Sequence, residues 1–310
     1  MSQLALFGVT TTGASGSFDN VKITETRQKR TFGLFIGVQD TAEGKPTYRG
    51  DVMADKLYTD FVGQGNTARR LIANLDSGGK ITKEQIDQEL AAIKSQMSPG
   101  DSFVFYVTGH GYSSFNALGG AELINLGDFL YDTQLYESLN TFDRDGKYEK
   151  RVFLDACHSG GFWDFTTDPK EANFQGNPTH SLNQLTNIAV FASAPESQES
   201  FYNGNTGKSF FGMSIDTAIA NNKLDIGAAD LYQYLVETGK LAWHQDNNLV
   251  YFTEQGFGDQ ILANSDLINF VFNSNINAGS VPEPSSLILV LAALGAAAAF
   301  RQRRKFSEFQ

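Results

Sequence analysis

Runs of apolar residues alternate along the chain with segments in which apolar residues recur every three or four positions. The first run, residues 31–38 (TFGLFIGV), has the length and β-branched content of a strand buried on both faces. Further strand-like runs occupy 70–75, 102–107, 151–156, 188–193 and 249–253. Helical spacing covers 51–62, 82–97, 130–139, 211–220 and 229–238. This alternation predicts an α/β fold with a mostly parallel sheet covered by helices on both faces.

The two ends of the chain differ in character from this alternating part. Residues 1–30 hold a short apolar stretch without a basic start, which fits either a secretory leader or a loose N-terminal segment. A polar linker at 266–280 leads to a tail, 281–310, in which residues 287–300 are uniformly apolar or small and a basic cluster follows. This apolar segment is shorter than the roughly 20 residues of a spanning helix. Its basic flank nevertheless favours membrane insertion over a buried core helix.

Charge and cysteine content narrow the functional classes. The chain has 24 Lys and Arg against 35 Asp and Glu, a formal net charge of −11, so we do not expect a nucleic acid partner. It contains one cysteine in 310 residues, which excludes an internal disulfide framework and any multi-cysteine metal site. If this cysteine has a role, it acts as a thiol.

Two predicted strands end in chemically unusual sequences. TGHG spans residues 108–111, and DACHSG spans 155–160. Because parallel strands end at the same edge of a sheet, His110 and Cys157 are expected to meet there. An imidazole can take the proton of a thiol and later return it to a leaving group. A lone buried cysteine or a lone histidine is more often structural, but the pair at two strand ends favours catalysis.

His158 competes with His110 for the role of base, because it adjoins the cysteine. If 157–158 is extended, neighbouring side chains point to opposite faces, and His110 is then the better placed base. The glycines of both segments allow a close approach of the backbone. The amides of Gly111 and Cys157 are therefore candidate donors to an oxyanion.

The two segments resemble the histidine and cysteine blocks of caspase-like peptidases, in the branch of metacaspases and bacterial relatives. The resemblance covers roughly 31–265 and implies a caspase-haemoglobinase fold, with a six-stranded, mostly parallel sheet flanked by helices. The C-terminal hydrophobic anchor predicted from residues 287–300 follows this domain. It implies a Cys157–His110 dyad, an oxyanion role for Gly111 and Cys157, and a peptide or protein substrate. No cofactor is required by this interpretation, although some metacaspases use calcium.

The resemblance also implies a specificity. In metacaspase-like members, an aspartate two residues before the cysteine helps to form an acidic pocket, and Asp155 occupies that position. Asp51 is the best match to a second acidic contributor, with capping of a helix N-terminus as its alternative role. Such a pocket would accept Arg or Lys on the acyl side of the scissile bond. The expected activity is therefore cleavage after basic residues.

Two further sites are suggested by local sequence. Many relatives are cut within the loop after the cysteine block, and Lys170 is the only basic residue of the polar segment 162–187 here, so it is the candidate for self-cleavage. Residues 143–146 (DRDG) resemble the start of a calcium loop but lack its later ligands, including the terminal glutamate. A turn is the preferred interpretation of that segment.

The tail carries a second resemblance. Val281, Pro282, Glu283 and Pro284, followed by an apolar segment and a basic end, are similar to PEP-CTERM sorting signals. The resemblance implies export to the cell envelope, tethering in the inner membrane, processing by an exosortase-type enzyme and then release to the cell surface or matrix. The alternatives to an exported peptidase are a non-catalytic caspase-fold binding or matrix protein and another thiol hydrolase or transferase.

Overall fold

The computed structural model describes residues 28–41, 47–112, 122–162, 182–194, 199–245 and 261–263. Its helices are α1 (Gly50–Gly63), α2 (Lys83–Lys94), α3 (Asp132–Phe142), α4 (Phe210–Ala220) and α5 (Ala228–Gln245). The longer strands are β1 (Thr31–Asp40), β3 (Thr67–Asn74), β4 (Ser102–Thr108), β8 (Glu149–Asp155) and β9 (Ile188–Ala192). The short ones are β2 (Tyr48–Arg49), β5 (His110–Tyr112), β6 (Leu123–Asn125), β7 (Phe129–Tyr131) and β10 (Ile261–Ala263).

The main sheet contains seven strands within the described ranges. Strands β3, β1, β4, β8 and β9 lie side by side and are parallel, and β10 pairs with β9 in the antiparallel sense. The two-residue β2 pairs antiparallel with the end of β1. The predicted mostly parallel α/β sheet is therefore confirmed. The run at 249–253 lies outside the described residues.

Each face of the sheet is buried by its own set of helices. On β1, the alternate residues Phe32, Leu34, Ile36 and Val38 belong to the core that includes α2 and α3. Phe35 points the other way, into the core formed with α1, α4 and α5. A strand with two buried faces is apolar at nearly every position, which explains the continuous run in the sequence.

Local sequence explains where the helices begin. Thr82 accepts a hydrogen bond from the amide of Gln85, whose side chain accepts one from the amide of Thr82, so the predicted cap is a reciprocal capping box. Helix α1 begins so close to β1 that a Cβ on Gly37 would lie 2.2 Å from the carbonyl oxygen of Gly50. Only glycine fits at such a contact, which brings the N-terminus of α1 to the carboxyl edge of the sheet.

A second, three-stranded antiparallel sheet follows β4 directly. It has the order β5-β6-β7 and leads into α3. The predicted helix at 130–139 therefore begins two residues later, at Asp132, because Leu130 belongs to β7. This small sheet carries His110 at its first position and so fixes the backbone of the histidine segment.

Candidate active site

A cleft of about 400 Å³ lies at the carboxyl edge of the main sheet. Both predicted catalytic side chains, His110 and Cys157, line it. The register of the sheet explains why: β4 and β8 end together, with Thr108 opposite Asp155. Two residues beyond each of these strand ends lie the histidine and the cysteine. The topology thus brings the TGHG and DACHSG segments to one site, as the sequence predicts.

The backbones of the two segments are in close contact at Gly111. A Cβ at this glycine would lie 1.8 Å from the carbonyl oxygen of Cys157 and 2.8 Å from its nitrogen. No real side chain tolerates such distances, so a glycine is required for the histidine segment to pass directly over the cysteine. This contact is the most direct structural evidence that the two segments form one site.

The thiol of Cys157 is partly buried and is contacted by the segment that follows β9. The amide of Ser200 donates a hydrogen bond to Sγ at 3.3 Å, and Sγ lies 3.7 Å from the carbonyl oxygen of Ser200. Burial raises the pKa of the thiol above its usual value, the Ser200 amide opposes this shift, and the negative charges of Glu199 and Asp155 add to it. At neutral pH the thiol is therefore protonated and needs a base to become a nucleophile.

His110 lies between a carboxylate and an aromatic ring. Its Nε2 is 3.7 Å from Oδ2 of Asp40, the last residue of β1. The ring of Tyr48 lies 5.4 Å from the imidazole at an interplanar angle of 45°. The Tyr48 hydroxyl hydrogen-bonds to Thr108, at the end of the strand that precedes the histidine. Three strands therefore position the imidazole.

His158 also lines the cleft, but the extended backbone expected for it is wrong. Cys157 and His158 lie in a turn and not on an extended segment, and His158 has a left-handed backbone with φ 59°. The alternation of side chains along a strand therefore does not apply to this pair. A positive φ is uncommon for a residue with a side chain, and such residues cluster at functional sites. The contact of Gly111 with Cys157, and not side-chain alternation, favours His110.

Asp155 is buried at the base of the cleft. Its Oδ2 accepts hydrogen bonds from the hydroxyls of Tyr106, at 2.6 Å, and of Ser209, and both donors are neutral. Ser209 also caps α4 by accepting a bond from the amide of Gly212, so the helix start fixes one of the donors. Burial raises the pKa of Asp155 to about 6, while the hydroxyl donors oppose the shift.

Asp51 is not among the residues that line the cleft. It lies in the first turn of α1, where its two carboxylate oxygens accept hydrogen bonds from the guanidinium of Arg49, at 3.0 and 3.1 Å. It makes no side-chain cap of the helix. The structure therefore gives no support to Asp51 as the second pocket acid, because its charge is already paired with Arg49.

The cleft contains two acids that the sequence analysis did not single out, Asp40 and Glu199. Tyr48, Ser200 and Tyr202 also line it, and none of them is marked by the sequence pattern. Asp40 ends a strand at the same edge as the histidine segment, and this signal was readable in the sequence. The others lie on a two-residue strand and on a loop, where no periodicity marks a position.

Other predicted sites are structural or lie outside the described residues. Residues 143–146 form a turn, and the carboxylate of Asp143 is bound by Lys150 and by the amides of Lys147 and Tyr148. In the described ranges, no three His, Cys, Asp or Glu side chains are grouped as a metal site. Lys170, the linker and the tail lie outside the described residues.

Comparison with solved structures places this architecture. Caspase-1 from Spodoptera frugiperda superposes with a TM-score of 0.52 and 14% sequence identity, over 80% of this chain and 92% of that chain. The protein has the caspase fold. A crystal structure of a Geobacter sulfurreducens protein from a structural genomics project matches with a TM-score of 0.46 and 15% identity, over 67% of this chain and 88% of the other. Among curated proteins, no sequence matches this caspase-fold chain significantly.

The C-terminal segment has a separate match. Residues 280–305 match the PEP-CTERM protein-sorting motif, which confirms the resemblance seen in the sequence. The motif indicates an exported protein of the cell envelope that is anchored in a membrane and processed by an exosortase. Within the described residues, none of the helices has the length and apolar character needed to cross a membrane.

Proposed function

We propose that the protein is a cysteine endopeptidase in which Cys157 is the nucleophile and His110 the general base. The observation that carries this proposal is the contact of Gly111 with the backbone of Cys157, in a cleft that both side chains line. The raised pKa of the thiol is consistent with this assignment, since a protonated thiol needs a neighbouring base. The caspase fold supports it as well, by analogy only.

The proposed reaction has two steps. The imidazole of His110 removes the thiol proton, and Sγ forms a bond to the carbonyl carbon of the scissile peptide. The carbon–nitrogen bond then breaks, and the imidazolium gives its proton to the leaving amine. A water molecule hydrolyses the thioester, giving the carboxylic acid and regenerating the thiol. The amides of Gly111 and Cys157 are the proposed donors to the oxyanion, a role worth about 2.7–4 kcal/mol of barrier per donor.

We propose that the protein cleaves after Arg or Lys, because Asp155 supplies a negative charge for the side chain on the acyl side of the scissile bond. Asp155 is a lining residue of the cleft, and its buried carboxylate accepts bonds from the neutral hydroxyls of Tyr106 and Ser209. A cationic side chain of the substrate would supply the opposite charge. A charged hydrogen bond in such a buried site is stronger than a neutral one. An aspartate side chain of a substrate would instead meet like charge there.

Peptide kinetics test the proposal directly. We expect the full chain to cleave Arg- and Lys-ended fluorogenic peptides and to leave the Asp-ended peptide intact. Cys157→Ala and His110→Ala should each lose turnover with unchanged circular dichroism, whereas His158→Ala should keep most of it. A clear preference for the Asp-ended peptide would overturn the specificity, and turnover by Cys157→Ala would overturn the mechanism.

A methyl group at Gly111 tests the contact that carries the proposal. Gly111→Ala should reduce turnover by at least a hundredfold, because the new Cβ would collide with the carbonyl of Cys157. Gly63→Ala is the matched control, since a Cβ there meets no atom within 4 Å. Equal turnover of the two variants would contradict the proposed arrangement.

Self-cleavage and cofactor use are separate parts of the proposal. We propose cleavage after Lys170, to be read as a change in intact mass that is absent from Cys157→Ala and from Lys170→Ala. We propose no required cofactor, so turnover should survive EDTA. A calcium titration of EDTA-treated protein measures any requirement, and an activity that appears only with calcium would overturn this part.

A second candidate is a caspase-fold binding or matrix protein without turnover. The observation that favours it is the thiol itself, because burial and two nearby acids raise its pKa and reduce its reactivity. A peptidyl electrophile that labels wild-type protein but not Cys157→Ala would argue against this candidate. Absence of both labelling and cleavage would support it.

We propose that the segment 287–300 tethers the precursor in the inner membrane and that exosortase processing then releases the domain to the cell surface or matrix. The match to the sorting motif supports the tether and the processing. Cell fractionation of protein with and without residues 281–310 tests both. The proposal fails if full-length protein and the truncated form have the same distribution.

A further inference from the structure

Asp40 is the acid whose ion-pair distance to the proposed catalytic base falls within 4 Å among the described residues. Its Oδ2 lies 3.7 Å from Nε2 of His110, a distance too long for a hydrogen bond but short enough for strong attraction between charges. The side chains are only 23% and 24% exposed, so water screens the pair incompletely. A carboxylate beside Nε2 favours a proton on that nitrogen, so proton exchange with a thiol or a leaving group would run through Nδ1.

The backbone around Asp40 is held in place from both sides. The carboxylate of Asp76 accepts hydrogen bonds from the side chain of Gln39 at 2.9 Å, and from the amide and the hydroxyl of Thr41, each at 2.9 Å. These residues flank Asp40 directly. In addition, Asp40 pairs across the strands with Tyr48, whose ring contacts the imidazole. The carboxylate is thus fixed by the sheet and does not depend on a free loop.

We infer that Asp40 is a positioning residue that completes a Cys157–His110–Asp40 triad, a role that rests on the proposed peptidase function. Asp40 orients the imidazole and stabilises the imidazolium formed when the thiol proton is transferred. No bond to Asp40 forms or breaks, and the carboxylate keeps its charge throughout. The arrangement follows the general logic of an acid that orients a catalytic histidine.

Other groups face the same imidazole and must be separated from Asp40. The ionisable side chains that line the cleft from the neighbouring elements are Tyr48, Tyr112, Asp155, Cys157, His158, Glu199 and Tyr202. Of these, Glu199 is the appropriate comparison, because it is an acid in the same cleft on a different element. Glu199→Gln should therefore leave the acid limb of the kcat profile in place, and any effect it has on the thiol should persist without His110, unlike the effect of Asp40→Asn.

The first readout is the pH profile of kcat with an Arg-ended peptide, using the full chain. In Asp40→Asn, the apparent pKa of the acid limb should fall by about one unit, because the imidazolium loses its counter-charge, and kcat should fall by about tenfold with KM nearly unchanged. Asp40→Glu should restore part of the apparent pKa and part of kcat. Asp87→Asn, which removes a surface charge on α2, should change neither the apparent pKa nor kcat. A change in KM alone would make Asp40 a substrate-binding residue and overturn the triad.

The second readout does not require turnover, so it separates this inference from the proposed function. Cys157 is the only cysteine, and the pH dependence of its alkylation by iodoacetamide reports the protonation of groups near the thiol. We expect Asp40→Asn and His110→Ala both to change this profile, and the change from Asp40→Asn to vanish in the His110→Ala background. An effect of Asp40→Asn that persists without His110, or no effect in wild-type background, overturns the inference even if the protein cleaves peptides.

Discussion

A buried carboxylate lies near each end of strand β8, and the two carboxylates have different partners. At the amino end, Asp143 is bound by the ammonium of Lys150 and accepts bonds from two backbone amides, at 2.7 and 3.1 Å. At the carboxyl end, Asp155 is also buried, but its carboxylate accepts bonds from the neutral hydroxyls of Tyr106 and Ser209 and pairs with no cation among the described residues. One carboxylate is therefore neutralised within the fold, and the other keeps a charge with no cation in its hydrogen bonds.

This difference separates a structural acid from a candidate recognition site. Burial lowers the pKa of Lys150, and the charge of Asp143 opposes that shift, so each ion of the pair offsets the other's loss of water. In the part of the chain that the structure describes, no cation pairs with Asp155, and burial raises its pKa to about 6. A carboxylate in that state gains from any cation that enters the cleft. An acid already paired, such as Asp143, gains little.

The largest effect should come from breaking the pair at the amino end. Lys150→Met leaves Asp143 charged and buried, which should lower the free energy of unfolding by about 3–5 kcal/mol in urea titrations. Lys147→Met is the control, because Lys147 pairs with Asp145 at the surface, where a change within about 1 kcal/mol is expected. The double variant Lys150→Met, Asp143→Leu should recover stability, and failure to do so would show that Asp143 acts in another way.

At the carboxyl end, the same experiment should reveal a pH dependence instead. The pKa of Asp155 is raised in the folded protein, so its contribution to stability is fully present below pH 4 and is lost as pH rises through about 6. Between pH 4 and 7 this loss amounts to about 2–3 kcal/mol relative to Asp155→Asn, since each pKa unit corresponds to about 1.4 kcal/mol. If the free energies of unfolding of wild type and Asp155→Asn change in parallel between pH 4 and 7, the predicted contribution of Asp155 is contradicted.

Selectivity for a basic residue should follow the same ionisation. The ratio of kcat/KM for an Arg-ended peptide over its citrulline analogue should rise as pH passes about 6, and Asp155→Asn should lower the ratio by about ten- to hundredfold at pH 7.5. The ratio cancels the protonation of the catalytic base, which acts on both peptides. Asp51→Asn should leave it unchanged, because Asp51 pairs with Arg49. A large effect of Asp51→Asn would restore that residue to the pocket.

The smallest effect concerns the thiol. Burial is the largest cause of the raised pKa of Cys157, and the hydrogen bond from the Ser200 amide opposes it. The charges of Glu199 and Asp155 raise the pKa further, by smaller amounts. Asp155→Asn and Glu199→Gln should therefore each shift the alkylation profile of Cys157 to lower pH, by less than about one unit. Profiles that move to higher pH in these variants would show that the two charges act in the opposite sense.

The sequence predicts the central strands of the main sheet well because they are buried on both faces and so are largely apolar. Strands β1, β4, β8 and β9 all carry this pattern, and the capping residues of α2 are explicit in the sequence. The small sheet escapes prediction because its strands have three residues each, too few to show alternation. Its position follows only from the contacts of β5 with β6.

In the candidate site, the sequence predicts the residues that follow the strand ends but not the lining residues that lie on loops. The register of β4 and β8 ends both strands at the same level of the sheet, which brings together His110, Gly111, Asp155 and Cys157. Asp51 does not line the cleft, and Arg49, two residues away, binds its carboxylate, a contact that hydrophobic patterning does not report. The extended conformation assumed for His158 fails because the chain turns directly after the strand.

The partly buried, protonated thiol has a consequence for the lifetime of the protein in the cell envelope. Oxidants attack thiolates, so a cysteine with a raised pKa is oxidised slowly until a base removes its proton. The chain has no second cysteine with which Cys157 could form a protective internal disulfide. In an oxidising envelope, the low reactivity of the resting thiol is therefore a form of durability that the fold itself provides.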